Sequence, residues 1–197
     1  MGAPAASLRR VWQSAAEASR VAPPADRKRV VQTGGTAAIE LFAGTEGDSS
    51  AVTELASLTG EQPPKEVRAL LALERRDPAA ARRALAEPDT AMMKTGYMVY
   101  QRPLAAEVYY RLGDYQTALS LLNSFEPDVY PRRGFDPRWG LIGRVRLMRA
   151  ELHAKLGHNT EARAEFRQVL NQWKSADPAL EGFVRQAQRG LASLGEG

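Results

Sequence analysis

Apolar positions recur along this chain every three to four residues, broken at intervals by glycine, proline and aspartate, which predicts helices joined by short turns. The pattern is clearest in AEVYYRLGDYQTALSLL, residues 106–122. Ala106, Val108, Tyr109 and Leu112 fall on one helical face, Gly113-Asp114 interrupts, and Tyr115, Ala118, Leu119 and Leu122 restart the period. Two such helices each carry one apolar stripe that neither can bury alone, so the pair requires neighbours of its own kind.

The first 60 residues predict helices without an evident repeat. Ser7 is placed to cap a helix through Leu8, Val11, Trp12 and Ala15 to about Arg20, which Ala22-Pro23-Pro24 stops because proline removes an N–H and disfavours helix before it. Asp26 opens a second helix with Val30, Val31, Ala37, Ala38 and Leu41 on its face, and Gly34-Gly35 inside it predicts a kink or a close helix crossing. A phosphate loop is set aside there, since no strand precedes the glycines and no Lys-Ser/Thr follows. Val52, Leu55 and Leu58 form a short third helix that Gly60 ends.

Helical pairs follow. In the first, proline opens a helix with Val67, Leu70, Leu71 and Leu73 on its face, Arg76-Asp77 turns it, and Ala81, Ala84 and Leu85 mark the second helix. Residues 90–101, tyrosine-rich and split by Gly96, predict a short helix or ordered lead into helices 103–112 and 115–124. Three prolines and a glycine in residues 126–137 predict a loop, pinned by Tyr130, Phe135 and Trp139. In the last pair Leu141, Val145, Met148, Leu152 and Leu156 make one helix, Gly157-His158-Asn159 a turn, and Ala162, Phe166, Val169, Leu170 and Trp173 the partner. Beyond Pro178 a final helix faces Phe183, Val184, Ala187 and Leu191 inward and keeps Arg185, Gln188 and Arg189 outward, as a cap requires.

The turns align as one repeated unit. Seven residues before each stands Ala69, Ala106 or Ala150, and five after stands Ala81, Ala118 or Ala162. Four further on stands Leu85, Leu122 or Phe166. Only a small residue fits where two helices cross closely, and a large one fills the space behind. RLGDYQTAL and KLGHNTEARAEF resemble the turn and second helix of the tetratricopeptide repeat, a family with a period of about 34 residues; RRDPAAARRAL matches it more loosely. The resemblance covers residues 63–194, although the family's aromatic residue three beyond the first small one survives only as Tyr109, being Ala72 and His153 elsewhere. RGFDPRWG followed by QVLNQWKSADPAL is similar to C-terminal repeat regions of bacterial signalling proteins, including serine/threonine kinases, and the alanine- and arginine-rich composition fits a bacterial source. No kinase motif is present.

Composition narrows the chemistry. The 197 residues include 44% hydrophobic and 25% charged positions, an ordinary balance for a folded chain. Without cysteine there is no disulfide, thiolate metal site or thiol nucleophile. The net charge of +4 is spread among interspersed acids and bases, which points away from a nucleic-acid arm. The start, MGAPAASLRRVW, lacks the apolar core of a secretory signal, Ala6 replaces the Ser or Thr of a myristoylation site, and no run is long enough to span a membrane. The expectation is a cytoplasmic protein with no membrane insertion.

Catalytic signatures are lacking. His153 and His158, the only histidines, are five apart and would point about 140° from each other on a continuous helix, where a metal pair needs i, i+4. Packing and capping account for them. The Asp-Pro steps at 77–78, 136–137 and 177–178 mark turns. No cofactor or metal is expected, and no enzyme.

Binding is the expectation, and its site comes from the family resemblance, which implies a concave groove lined by the first helix of each pair. Matched by position, Glu66, Leu70, Leu73 and Glu74 line it from the first, Glu107, Tyr110 and Arg111 from the second, and Arg144, Leu147, Glu151 and Lys155 from the third. The family's clamp for acidic chain ends needs asparagine where Leu70, Glu107 and Glu151 stand, so a mixed or basic-apolar peptide suits the groove better. Tyr97, Tyr100, Tyr109, Tyr110 and Tyr115 form either an aromatic recognition surface or half-buried packing.

The chain is therefore expected to be all-α: a right-handed solenoid of hairpins at about 63–88, 100–125 and 138–174, with an N-terminal helical extension over 1–62 and a capping helix at 178–194. The expected function is a protein–protein interaction scaffold that holds a peptide or helix. The alternative is a regulatory or sensory region of a signalling protein that binds a small effector.

Overall fold

Prolines and left-handed residues divide the chain into helices. The computed structural model describes residues 5–40, 42, 49–87, 98–123, 125, 139–175 and 178–195, and these residues form helices and turns with no strand. None of the described helices is long and apolar enough to cross a membrane. The chain divides into two compact units, Gly2–Leu104 and Ala105–Gly197, where the sequence predicts a boundary after residue 62.

In the first unit, α1 (Ala5–Val21), α2 (Pro24–Glu40) and α3 (Ser49–Thr59) pack together around Leu8, Trp12, Ala16, Ala37, Ala38 and Ala51. Ser7 lies inside the first turns of α1 and does not cap it; its hydroxyl accepts a bond from Arg10 Nη2 at 3.3 Å. Gly34 produces the expected close crossing. A Cβ there would collide with Ala15 and lie 3.4 Å from the Trp12 ring, so α1 and α2 approach through the missing side chain. The Trp12 indole N–H donates to Glu54 Oε2 at 3.1 Å, and Arg20 pairs with the same carboxylate, which ties α1 to α3. α4 (Lys65–Glu74) follows Pro64 and packs on α5 (Pro78–Ala86), whose N-cap Asp77 accepts the Ala80 N–H at 2.8 Å.

The unit boundary falls inside α6 (Met98–Arg111). This helix begins five residues earlier than the expected start at Pro103, which lies within it. A proline there costs one intrahelical bond, since only the first four N–H groups of a helix lack such a partner in any case. The lead at 90–97 and the loop at 126–137 lie outside the described residues.

In the second unit, α7 (Tyr115–Asn123) packs against α8 (Trp139–Lys155), α8 against α9 (Asn159–Gln172), and α10 (Glu181–Ser193) against both α8 and α9. Its core joins Leu147, Ala150, Ala162, Phe166, Val169, Trp173, Leu180 and Ala187. Two glycines admit two large rings: a Cβ on Gly143 would stand 2.6 Å from Trp173 Cε2, and one on Gly190 would stand 2.6 Å from Phe166 Cε1.

The three turns share one geometry. Arg76, Gly113 and Gly157 take the left-handed conformation with φ of 59°, 79° and 78°. The next N–H then reaches five residues back: Asp77 to Ala72, Asp114 to Tyr109 and His158 to His153, each at 2.9 Å, satisfying carbonyls the helix end leaves open. Ala69, Ala106 and Ala150, and with them Ala81, Ala118 and Ala162, are each 0% exposed. The alignment of small residues is thus met at every one of its six positions.

Candidate functional site

The residues matched to a groove separate into groups. Glu66, Leu70, Leu73 and Glu74 belong to the first unit, and the rest to the second. Leu70 is buried on α4 beside Val67, Ala69 and the buried Glu66, while Leu73 is half-buried and Glu74 exposed. Leu147 is buried in the core among Ala150, Phe166 and Ala187. Leu70, Leu147 and Glu66 therefore do not present their side chains to a ligand. The reason is the width of the buried face: positions 66, 67, 69 and 70 enclose about 160° of α4, and α8 is covered by α7, α9 and α10 together.

Arg144 is half-buried, its guanidinium 5.4 Å from the centre of the Phe183 ring, a cation–π contact between α8 and α10. The remaining five gather around Tyr110. Glu107 accepts from Arg111 Nε at 2.6 Å, one helical turn along α6. Tyr110 is half-buried, with its ring 5.6 Å from that of Tyr115 across the turn. Burial raises the Tyr110 hydroxyl above its ordinary pKa, and the charges of Glu151, Tyr115 and Glu107 add to the shift.

Glu151 is the most perturbed acid of this group. Burial raises its carboxyl above the usual carboxylate range. A bond from Gln186 Nε2 at 2.5 Å pulls the other way, Glu107 raises it further and Lys155 lowers it. Two phenols, two carboxylates, two cations and an amide thus share one surface on α6, α7, α8 and α10. Such a mixture can pair with backbone groups and with a cation, and it contains no nucleophile held against a base. Gln186 was not among the expected residues. Its signal was its place on α10, three positions after Phe183 and next to Ala187, at the edge of the inward stripe. The side chains of Tyr97 and Tyr100 lie outside the described residues.

His153 and His158 depart from expectation. Their rings meet at 5.6 Å between centres, with the Nδ1 atoms 3.4 Å apart. Extrapolating along a helix pointed them apart, but α8 ends at Lys155 and the turn at Gly157 swings His158 back. His158 occupies the N-cap of α9 without making a side-chain cap bond. Burial and the charge of His158 lower the His153 pKa, partly offset by Glu161 and Glu165, while Arg149 lowers it further. Among the described residues no group of three or more His, Asp or Glu side chains could hold a metal ion. Compared with known proteins, the chain matches no family model, no curated sequence and no solved structure.

Proposed function

We propose that this chain is a non-catalytic, cytoplasmic scaffold of tetratricopeptide-like hairpins that binds a peptide or helix of a partner protein. The observation that carries the proposal is the threefold recurrence of one turn, with a left-handed residue at the same place, the same five-residue return bond and six fully buried alanines in register. Repeats of this kind present a row of first-helix side chains that no single hairpin needs for its own packing. The half-buried tyrosines and mixed charges around Tyr110 have the composition of a recognition surface, with aromatic area beside polar groups that orient a ligand. Glu107 and Glu151 suit a segment with basic and apolar side chains.

The test is a selection of random twelve-residue peptides on the purified chain, followed by titration against a Glu107→Lys, Tyr110→Ala variant with an unchanged melting temperature. The expected result is enrichment of basic-apolar peptides that bind the variant at least about tenfold more weakly, the loss of one or two good contacts. Selected peptides that bind both proteins equally would move recognition away from this surface.

A further inference from the structure

A cleft of about 480 Å³ lies between α4 and α5, on residues that the expected groove does not use. Leu71, Ala72, Ala80 and Ala84 give it an apolar lining, and Arg68, Arg75, Arg83, Asp77 and Glu87 supply its charge. These charges are not equivalent. Arg68 is committed to Glu87 in a two-pronged pair, Nη1 to Oε1 at 3.0 Å and Nη2 to Oε2 at 2.6 Å. Asp77 is engaged as the cap of α5. Arg75 and Arg83 are exposed and have no ion-pair partner among the described residues.

We propose that this cleft is a second binding site, for a short acidic protein segment that places two carboxylates on Arg75 and Arg83 and a small apolar side chain against Leu71 and Ala84. Guanidinium groups take carboxylates in pairs of parallel bonds, which sets orientation as well as attraction. A ligand here supplies the counter-charge that the chain provides for Arg68 and withholds from its neighbours. The apolar lining favours a peptide, which can set a small apolar side chain against Leu71 and Ala84, over the phosphate backbone of a nucleic acid. Arg76 and Arg82, both exposed, stand next to Arg75 and Arg83 in the chain and add to the field that draws an acidic segment in.

The test uses the full chain and a fluorescent six-residue peptide of alternating glutamate and leucine, read by anisotropy at low and moderate salt. Binding should weaken as salt rises and fall at least about tenfold when glutamine replaces glutamate in the peptide. An Arg75→Ala, Arg83→Ala double variant should lose a similar factor while keeping its helical circular dichroism, since both side chains are exposed. A Glu107→Lys variant should bind the peptide as the wild type does, which separates this site from the one around Tyr110. Failure of the wild type to bind, equal binding by the double variant, or tighter binding of a single-stranded oligonucleotide of equal charge would overturn the proposal.

Discussion

His153 Nδ1 lies 3.4 Å from His158 Nδ1, so the charge of His158 opposes protonation of His153. Burial and this neighbour hold the His153 pKa below its ordinary value of about 6.5. An unfolded chain therefore binds more protons than the folded one as the pH falls through that region, and the fold loses stability there. Melting temperatures should be level above about pH 7 and decline below about 6.5. His158→Gln should flatten part of that decline, because Glu161, Glu165 and Arg149 remain around His153 while the second imidazolium is gone. An unchanged slope would remove the pair as its cause.

Glu151 gives the opposite sign. Its folded pKa is raised, so its favourable contribution is full below the usual carboxylate pKa and is lost as the pH rises through the folded value. Glu151→Gln keeps an acceptor for Gln186 and removes a charge that burial opposes. The variant should melt higher than wild type at pH 7 and equal to it near pH 4, a difference that two calorimetric scans would show.

Arg76 holds the left-handed place that Gly113 and Gly157 hold in the other turns. A left-handed non-glycine residue costs about 1–2 kcal/mol, part of which the greater freedom of unfolded glycine cancels. Arg76→Gly should stabilise by about 0.5–1 kcal/mol and Arg76→Val should destabilise, both measurable by urea titration.

Ala118 is 0% exposed where the small residues of the repeat are buried. Ala118→Leu should cost about 1–3 kcal/mol by overpacking, with Ala162→Leu behaving alike. A melting temperature that did not move would mean the register of the repeats is misassigned.

Gly190→Ala should also destabilise, despite gaining about 1 kcal/mol in helix propensity, because the new methyl meets the Phe166 ring. Combining it with Phe166→Leu should cost less than the two changes added together. A double-mutant cycle reads that coupling directly.

The parts of this fold that follow from short-range rules were legible in the sequence. Alanine spacing located the buried positions on the repeated helices, and the glycine pair at 34–35 announced the α1–α2 crossing, because missing volume is a property of the residue itself. What depends on the surroundings was not legible. Leu70 and Leu147 are assigned to a groove by matching positions to the repeat family, whereas Leu70 is buried on α4 and α8 is covered from three sides. Pro103 read as a helix start because its ring fits there most easily, yet α6 accommodates it after its first turn. The histidine pair and the α4–α5 cleft both arise where a turn brings distant positions back together, and periodicity along one helix carries no information about that.

The contact between Phe166 and Gly190 also restricts how this chain can diverge. A side chain cannot be added at 190 while the ring is in place, and the ring cannot shrink first without leaving a void in a core position that is 1% exposed. Either order of change passes through a weakened protein. The two positions should therefore be inherited together, so that a homologue with a smaller residue at 166 is the one expected to carry a Cβ at 190.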